Sequence, residues 1–525
     1  MMDISRQPGG LHCMSGKNVS SLLRYWQEKS PDNTFLKWEP LAAGKPRSWS
    51  YEQFATDVWR LSSGLLKLGV KKGDCINIHL DNSPEFLLSW FSCVHLGAIP
   101  VTTNTRSSLD ELSYYLSHSE SVASITSGQH VDSIKNTGAE LQFILVTDES
   151  SASCGSGEVS NLYEHLGAAT FTPHDVSDSD ICSLQYTSGT TSRPKGVMWT
   201  HANALWGGRV TSGHLKSTPQ DTALVYLPLF HTNALCYSML STLWSGGSMV
   251  LLPKFSASRF WPVSVENKCT WTATIPAVIS ALQDKPDPEG SHSFRLWGGA
   301  FSNVPGVMER WGISTLGWWG MTETISQVIM TPVDIIDEDI AMGRVVPEYS
   351  VRVVDDAGVD VSPGTVGHLL VKGVPGLSLF AGYLKNDEAT DESYDDGWFI
   401  TGDLVKQLPS GAIAFSDRAK DMLKVGGENV SASEVERVIL AVDGVLEAAV
   451  VSRPDDFLDE VPVAYVTANG NNADIEARIV RHCSEMLSDF KVPRAVRVVE
   501  ELPRIMLGKV SKKKLREMAS TDFAN

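Results

Sequence analysis

Tyr186-Thr187-Ser188-Gly189-Thr190-Thr191-Ser192-Arg193-Pro194-Lys195-Gly196 is the stretch from which the fold is read. It is rich in hydroxyls, bracketed by glycines, and carries a lysine at its end. Hydroxyl side chains and the backbone N–H groups around Gly189 can line an anion-binding concavity. Lys195 adds a point charge with three donors, which suits a polyphosphate. The common nucleotide-binding loop ends in Gly-Lys-Ser/Thr. Here Pro194 precedes Lys195 and Gly196 follows it, so this is a different device. Ser, Thr, Gly and Pro also build ordinary surface turns, and hydroxyls alone would say little. The ordered run Thr-Ser-Gly-Thr-Thr-x-x-Pro-Lys-Gly is far more specific.

Outward from the loop, the pattern is strand, helix, strand. Ser50 to Leu68 reads as an amphipathic helix, with Ser50 and Gln53 forming a capping box and Phe54, Val58, Leu61, Leu65 and Leu68 on the buried face. The strand Cys75 to Leu80 follows, and Ser83-Pro84-Glu85 opens a helix that ends near Gly97. Ala98 to Val101, Val122 to Ile125, Phe143 to Val146 and the apolar run Ile181 to Leu184 read as further buried strands. This order predicts a doubly wound α/β layer. Ser150 to Ser160 reads as an exposed loop, the acidic stretch from Tyr383 to Asp396 as mobile, and Lys512, Lys513 and Lys514 as a solvated helix face. Thr200 caps a helix, and Ala223 to Leu252 reads as a buried strand–helix–strand unit broken by Pro228, His231, Asn233 and Gly246-Gly247, not as a membrane span.

At 525 residues the chain is too long for one ordinary core. Its 42% hydrophobic and 20% charged residues suit a soluble globular protein. A net charge of −18 disfavours nucleic acid and anionic membranes as partners but not an anionic substrate in a locally basic site. The eight cysteines form no C-x-x-C pair and sit mostly in apolar runs, which predicts reduced thiols and a cytoplasmic location. Residues 1–18 read as a flexible extension without the apolar core of a signal peptide.

Four more stretches carry chemistry. Gly298-Gly299-Ala300 leaves backbone open to a flat ring. Trp318-Trp319-Gly320-Met321-Thr322-Glu323 places a carboxylate after a glycine turn. Thr401-Gly402-Asp403 sets a carboxylate where both hydroxyls of a ribose can reach it. Gly426-Gly427 permits close approach of a ligand. With the loop at 186–196, these motifs resemble the adenylate-forming superfamily of acyl-CoA synthetases, carrier-protein adenylation domains and luciferases. The Ser-Arg-Pro-Lys-Gly variant is most similar to the carnitine/crotonobetaine–CoA ligases. The resemblance runs from about Val19 to about Leu515.

The resemblance implies an α/β fold: a large N-terminal domain of layered α/β subdomains with a β-rich part (19–417, AMP- and acyl-binding), a hinge at 418–421 and a small mobile α+β cap (422–525). It implies ATP, Mg²⁺ and coenzyme A as cofactors and a carboxylic acid as substrate. Thr187, Ser188, Gly189, Thr190, Thr191 and Lys195 would hold phosphates, with the Thr322 hydroxyl beside them; Gly298, Gly299, Ala300, Trp319, Gly320 and Met321 the adenine side. Glu323 would hold the metal. Asp403 and Arg418 would bind ribose and phosphate, and Gly427 would border the pantetheine channel. Lys509, in Pro503-Arg504-Ile505-Met506-Leu507-Gly508-Lys509, would be the catalytic lysine, and Lys420 the hinge. His231 and Asn233 would line the carboxylate and acyl site. Trp319 departs from the family's usual Tyr, keeping a stacking face on a larger ring. The predicted reaction is acid plus ATP to acyl-adenylate, then CoA thiol attack. A thiolation-only enzyme fed by a partner, a carrier-protein ligase and a non-catalytic nucleotide binder stay open, as do the acid itself and a homodimer.

Overall fold

The structure is a computed structural model that describes residues 11–41, 44–148, 159–170, 174–187, 193–335, 341–418, 421, 423–425, 428–455, 458–469, 474–487, 489–504 and 510–523. The chain divides into two compact units: Met1–Ser350 with Val371–Trp398, and Val351–Leu370 with Phe399–Asn525. The large N-terminal and small C-terminal parts of an α/β fold are both present. Division by compactness groups Val351–Leu370 and the chain from Phe399 with the C-terminal residues.

The first unit holds two sheets. One runs, edge to edge, Val159–Asn161, Phe143–Val146, Ala123–Thr126, Cys75–His79, Ile99–Thr102, Ile181–Thr187, Lys195–Thr200 and Gly382–Tyr383. Its pairings are parallel up to Ile181–Thr187 and antiparallel beyond it. The strand order reverses about Cys75–His79, which makes this a doubly wound layer, and such sheets bind ligands beyond the carboxyl ends of their strands. The loop at 188–192 leaves one such end.

In the other sheet, Arg47–Ser50 flanks the parallel series Thr34–Trp38, Ser248–Leu251, Thr222–Val225, Trp271–Ala273, Leu296–Gly299 and Ser314–Trp319. The antiparallel strands Ile329–Met330 and Ala341–Val345 follow. Helices shield the parallel strands on both faces, so Cys75–His79 and Phe143–Val146 are buried at every position instead of alternating.

Local sequence chemistry sets the helix ends as expected. Ser50 Oγ accepts the Gln53 N–H at 3.2 Å while Gln53 Oε1 accepts the Ser50 N–H at 2.9 Å, opening the helix Tyr51–Lys67. Ser83 caps Pro84–Leu96, which closes on Gly97 at φ +72°. Thr200 and Asn203 cap His201–His214 in the same reciprocal way.

Two expectations fail. The segment 11–18 is not loose in its described part: Met14 is buried, Gly16 N–H donates to Asp178 at 2.8 Å, and Asn18 caps the helix Val19–Lys29. The acidic stretch after Tyr383, expected to be mobile, contains the helix Asp387–Glu392. Asn386 caps it by accepting the Ala389 N–H at 3.0 Å, and its acidic first turn suits the helix dipole.

All fifteen tryptophans lie in the first unit. Trp261, Trp297 and Trp311 pack with Phe260, Phe294 and Tyr226 in one apolar core behind the parallel strands.

In the second unit, the sheet order is Glu428–Val430, Leu423–Val425, Asp459–Ala468, Val445–Asp455, with Ala495–Val498 paired parallel to Asp459–Ala468. One face packs Val450 and Ala464 against Val435 and Ile439 of the helix Ala432–Leu440 and Ile479 of the helix Ile475–Met486. The other packs Val451, Val463 and Tyr465 against Leu515 and Ala519 of Lys512–Asp522. Lys512, Lys513 and Lys514 were expected on a solvated face. Lys513 and Lys514 are exposed, but Lys512 Nζ lies 3.0 Å from Glu436.

Candidate active site

The loop is held at its two ends. Ile181–Thr187 and Lys195–Thr200 pair antiparallel, with Thr187 opposite Lys195 and Tyr186 opposite Gly196. Lys195 Nζ projects to 4.6 Å from the centroid of the Tyr383 ring. Tyr383 in turn donates from Oη to Glu323 Oε1 at 3.0 Å. A cation beside the loop and a buried carboxylate thus meet on one tyrosine. Burial, and then the charge of Glu323, pushes the Tyr383 phenol far above its ordinary range, so it stays a donor.

Glu323 is gripped through its backbone as well, since its carbonyl accepts the Phe380 N–H at 2.9 Å. Two residues on, Ile325 sits at φ +65°, a left-handed conformation that a β-branched residue adopts only under strain. Such strain costs on the order of 1–3 kcal/mol and clusters at functional sites.

Thr322 stands next to Glu323 in a second network. Its carbonyl accepts the Trp199 Nε1–H at 2.8 Å. Its hydroxyl lies 3.1 Å from Thr232 Oγ1, which is 3.0 Å from Gln185 Oε1. Gln185 lies two residues before the end of the strand Ile181–Thr187, so that strand, Thr232 and Thr322 share one hydrogen-bonded seam.

His231 and Asn233 flank Thr232. The turn that carries them is pinned from the side by Asn82, which accepts the Leu229 N–H at 2.8 Å and donates to the carbonyls of Leu227 at 2.9 Å and Leu252 at 3.1 Å. Asn233 opens a π-helix, Asn233–Leu240, a rare form associated with functional sites. Its Oδ1 is buried with no hydrogen-bond partner among the described residues, as is the Tyr237 hydroxyl one turn on. Buried polar groups of this kind call for an explanation, and a ligand is one.

The adenine-side reading needs a correction. Open backbone was expected at Gly298, but a Cβ there would fall within the Trp318 ring. Gly298 therefore makes room for Trp318, whose ring also lies 6.1 Å from Tyr237 at 70°. Gly320 likewise makes room for the Tyr237 hydroxyl. The space lies instead beside Gly299 and Ala300, where a cavity of about 260 Å³ is bounded by Thr274, Ile275, Ile279, Phe301 and Val304. Trp319 is largely buried in pairing with Ile329, and Met321 N–H donates to Thr324 Oγ1 at 2.9 Å.

In the second unit, Asp403 and Arg418 are directly opposite each other across an antiparallel pair. Gly402 takes φ +73°. Asp403 is buried and donates its N–H to Thr401 Oγ1 at 3.1 Å, while Thr401 Oγ1 donates to the Leu369 carbonyl at 2.7 Å.

The AMP-binding enzyme model matches residues 23–384, and the model of the AMP-binding enzyme C-terminal domain matches residues 434–509. The chain belongs to the AMP-binding enzymes. It is 31% identical over 487 residues to a crotonobetaine/carnitine–CoA ligase of Escherichia coli, covering 90% of this chain and 94% of that one. Among solved structures, an anthranilate CoA ligase in complex with anthranoyl-AMP matches with a TM-score of 0.88 at 26% identity over 100% of both chains. ATP-bound MatB from Rhodopseudomonas palustris matches with a TM-score of 0.84 at 28% identity, covering 96% of this chain and all of that one. This AMP-binding enzyme is thus an ATP-dependent, AMP-forming acyl-CoA ligase that works through an acyl-adenylate.

Of the site residues expected from sequence, the structure of this AMP-binding enzyme brings Thr187, Lys195, Thr322 and Glu323 together and adds Tyr383, Gln185, Thr232 and Trp199. Thr232 stands between His231 and Asn233 in a stretch that sequence already singles out, whereas Gln185, Trp199 and Tyr383 stand in no such stretch, although Tyr383 follows the glycine of Gly382-Tyr383. Ser188, Gly189, Thr190, Thr191, Lys420, Gly427 and Lys509 lie outside the described residues. The donors around Glu323 are carboxylate and hydroxyl oxygens, which suit a hard cation such as Mg²⁺ that takes its remaining ligands from phosphate and water. Among the described residues no cluster of three or more His, Cys, Asp or Glu forms a metal cage.

Proposed function

We propose that this acyl-CoA ligase gathers its nucleotide on the seam formed by Lys195, Tyr383, Glu323 and Thr322, and that its acid lies beside His231 and Asn233. The meeting of Lys195 and Glu323 on Tyr383 is the observation that carries this reading. In the first half-reaction an oxygen of the carboxylate attacks the α-phosphorus of ATP. The bond to the leaving pyrophosphate breaks, and the acyl-adenylate forms. Such loose, anionic transition states need positioned cations more than covalent help. Lys195, the loop from Thr187 to Thr191 and Lys509 supply donors to the phosphates, and Glu323 holds Mg²⁺. The metal, when bound, neutralises phosphate charge and orients the leaving group. Asp403 and Arg418 hold the ribose.

In the second half-reaction the CoA sulfur attacks the acyl carbonyl and the C–O bond to AMP breaks. The hinge at 418–421 and the cap from 422 let Lys509 leave and bring Gly427 to the thiol channel, so that one site serves two geometries. The substrate is a carboxylic acid whose far end meets Tyr237 and Trp318. Two supports favour a cytoplasmic location: ATP and CoA as substrates, and cysteines that are all free among the described residues. No helix among the described residues is long and apolar enough to cross a membrane.

The test is a panel of acids spanning short aliphatic, betaine, aryl and long-chain types, read for pyrophosphate exchange, acyl-AMP and acyl-CoA. Exchange and acyl-CoA formation with free CoA are expected for at least one acid. Acyl-CoA made only from supplied acyl-adenylate, without exchange, would mark a thiolation-only enzyme. Acyl-AMP without acyl-CoA would mark a carrier-protein ligase.

A further inference from the structure

Tyr383 is fixed on every side before its side chain does anything. Its strand pairs with Lys195–Thr200, placing Tyr383 opposite Val197. Its N–H donates to Thr390 Oγ1 at 2.9 Å, and Thr390 Oγ1 donates to the Asn386 carbonyl at 2.8 Å, on the short helix that Asn386 caps. Phe380 packs on its ring with centroids 4.8 Å apart, and the same Phe380 holds the Glu323 carbonyl through its N–H. The side chain then presents two different surfaces. The hydroxyl hydrogen bonds one oxygen of Glu323, and the ring receives the ammonium of Lys195.

Lys195 and Glu323 carry opposite charges on neighbouring elements. Left to themselves in a low-dielectric site they would attract each other strongly. Paired directly, the lysine would be turned from phosphate and the carboxylate from a cation. A tyrosine between them gives each charge a partner of another kind: a π face for the ammonium and a neutral donor for the carboxylate.

We infer that Tyr383 is a positioning residue that stands between Lys195 and Glu323, aiming the ammonium at nucleotide phosphate and fixing the direction in which the carboxylate meets a divalent cation. This rests on the nucleotide and Mg²⁺ placement proposed above. The two functions reside in different parts of one side chain, so they separate on substitution. Tyr383→Phe keeps the ring and removes the hydroxyl. Tyr383→Leu removes both.

The experiment measures ATP binding by calorimetry in EDTA and in graded Mg²⁺, with thermal unfolding of each variant alongside. For Tyr383→Phe the half-saturating Mg²⁺ concentration is expected to rise about tenfold, as fits loss of a hydrogen bond to a charged group. Its ATP affinity in EDTA should stay within about twofold, because the face that holds Lys195 remains. For Tyr383→Leu, affinity in EDTA should also fall, by about fivefold or more. The metal effect of Tyr383→Phe should vanish in a Glu323→Gln background.

A Mg²⁺ requirement unchanged in Tyr383→Phe overturns the inference. So does an equal loss in both variants, with and without metal, which would mark a purely structural side chain. A wild-type protein that binds MgATP but yields neither acyl-AMP nor acyl-CoA would sink the proposed reaction roles while leaving the Tyr383 result standing on its own.

Discussion

Glu323 in the first unit and Asp403 in the second are both buried carboxylates beside a glycine turn, yet they are held by opposite means. The Asp403 backbone is framed by its neighbours: Gly402 at positive φ, Thr401 Oγ1 accepting the Asp403 N–H, and the Arg418 backbone opposite it in the ladder. Glu323 depends on distant chain, through the hydroxyl of Tyr383 sixty residues on and the N–H of Phe380. It also sits two residues before the strained Ile325. A locally built carboxylate is a fixture that folds with its hairpin. One built from afar is set only when the whole unit has closed, and it can be retuned from positions that touch no ligand.

The difference can be broken at several strengths. Glu323→Gln is expected to cut acyl-AMP formation about 10³-fold, near 4 kcal/mol, chiefly in kcat, as when a charge-stabilising group at the reacting centre is lost. Pyrophosphate-exchange kinetics check this, and a change confined to KM would contradict it. Asp403→Asn should instead raise KM for ATP by about 10²-fold, near 3 kcal/mol, because under the proposed ribose role a charged acceptor would be weakened. If the two substitutions acted alike in kcat, the contrast would be lost.

A third probe is pH. His201 is fully buried, and burial pushes its pKa down to about 4, while its Nδ1 accepts the Val19 N–H at 3.2 Å. Unfolded histidine titrates near 6.5, so the unfolded chain takes up the proton first. His201 alone should therefore lower stability as pH drops from about 6.5 towards 4, by roughly 2 kcal/mol between pH 7 and 5. Urea midpoints of the wild type and His201→Asn at both pH values test this, and equal pH slopes would refute it. The smallest effect is expected from Thr401→Val, which removes the hydroxyl between Leu369 and Asp403. It should cost about 1 kcal/mol in unfolding free energy and raise KM for ATP without lowering kcat. A fall in kcat as large as that of Glu323→Gln would show that Asp403 also depends on more than its neighbours.

The same local-versus-distant division explains what could be read from the sequence. Caps and turn glycines act within a few residues, so Ser50, Ser83, Gly97 and Thr200 announced their helices correctly. The doubly wound layer was legible because its strands are apolar runs spaced by helix patterns. Asp403 and Arg418 each stand out in a motif of their own, but their placing opposite each other is a matter of strand register that neither motif states. Tyr383, Gln185, Thr232 and Asn82 were not legible, because their roles arise from partners far along the chain. The expectation for Gly298 fails for the same reason: two glycines look open, and nothing in the local pattern says that the Trp318 indole from the next strand fills the space beside one of them. The π-helix at Asn233 has no local signature either. The helix at Asp387–Glu392 was masked by its acidity, although Asn386 was in place to cap it.

The confinement of every tryptophan to one unit has a use of its own. Excited selectively, the indoles make the larger body luminous and leave the smaller one dark. A change of emission when nucleotide binds can be assigned to the first unit without labels, whereas a change confined to the second unit would pass unseen. A single Phe490→Trp substitution in the dark body would give it a lamp of its own, and the two halves of the catalytic cycle could then be timed separately.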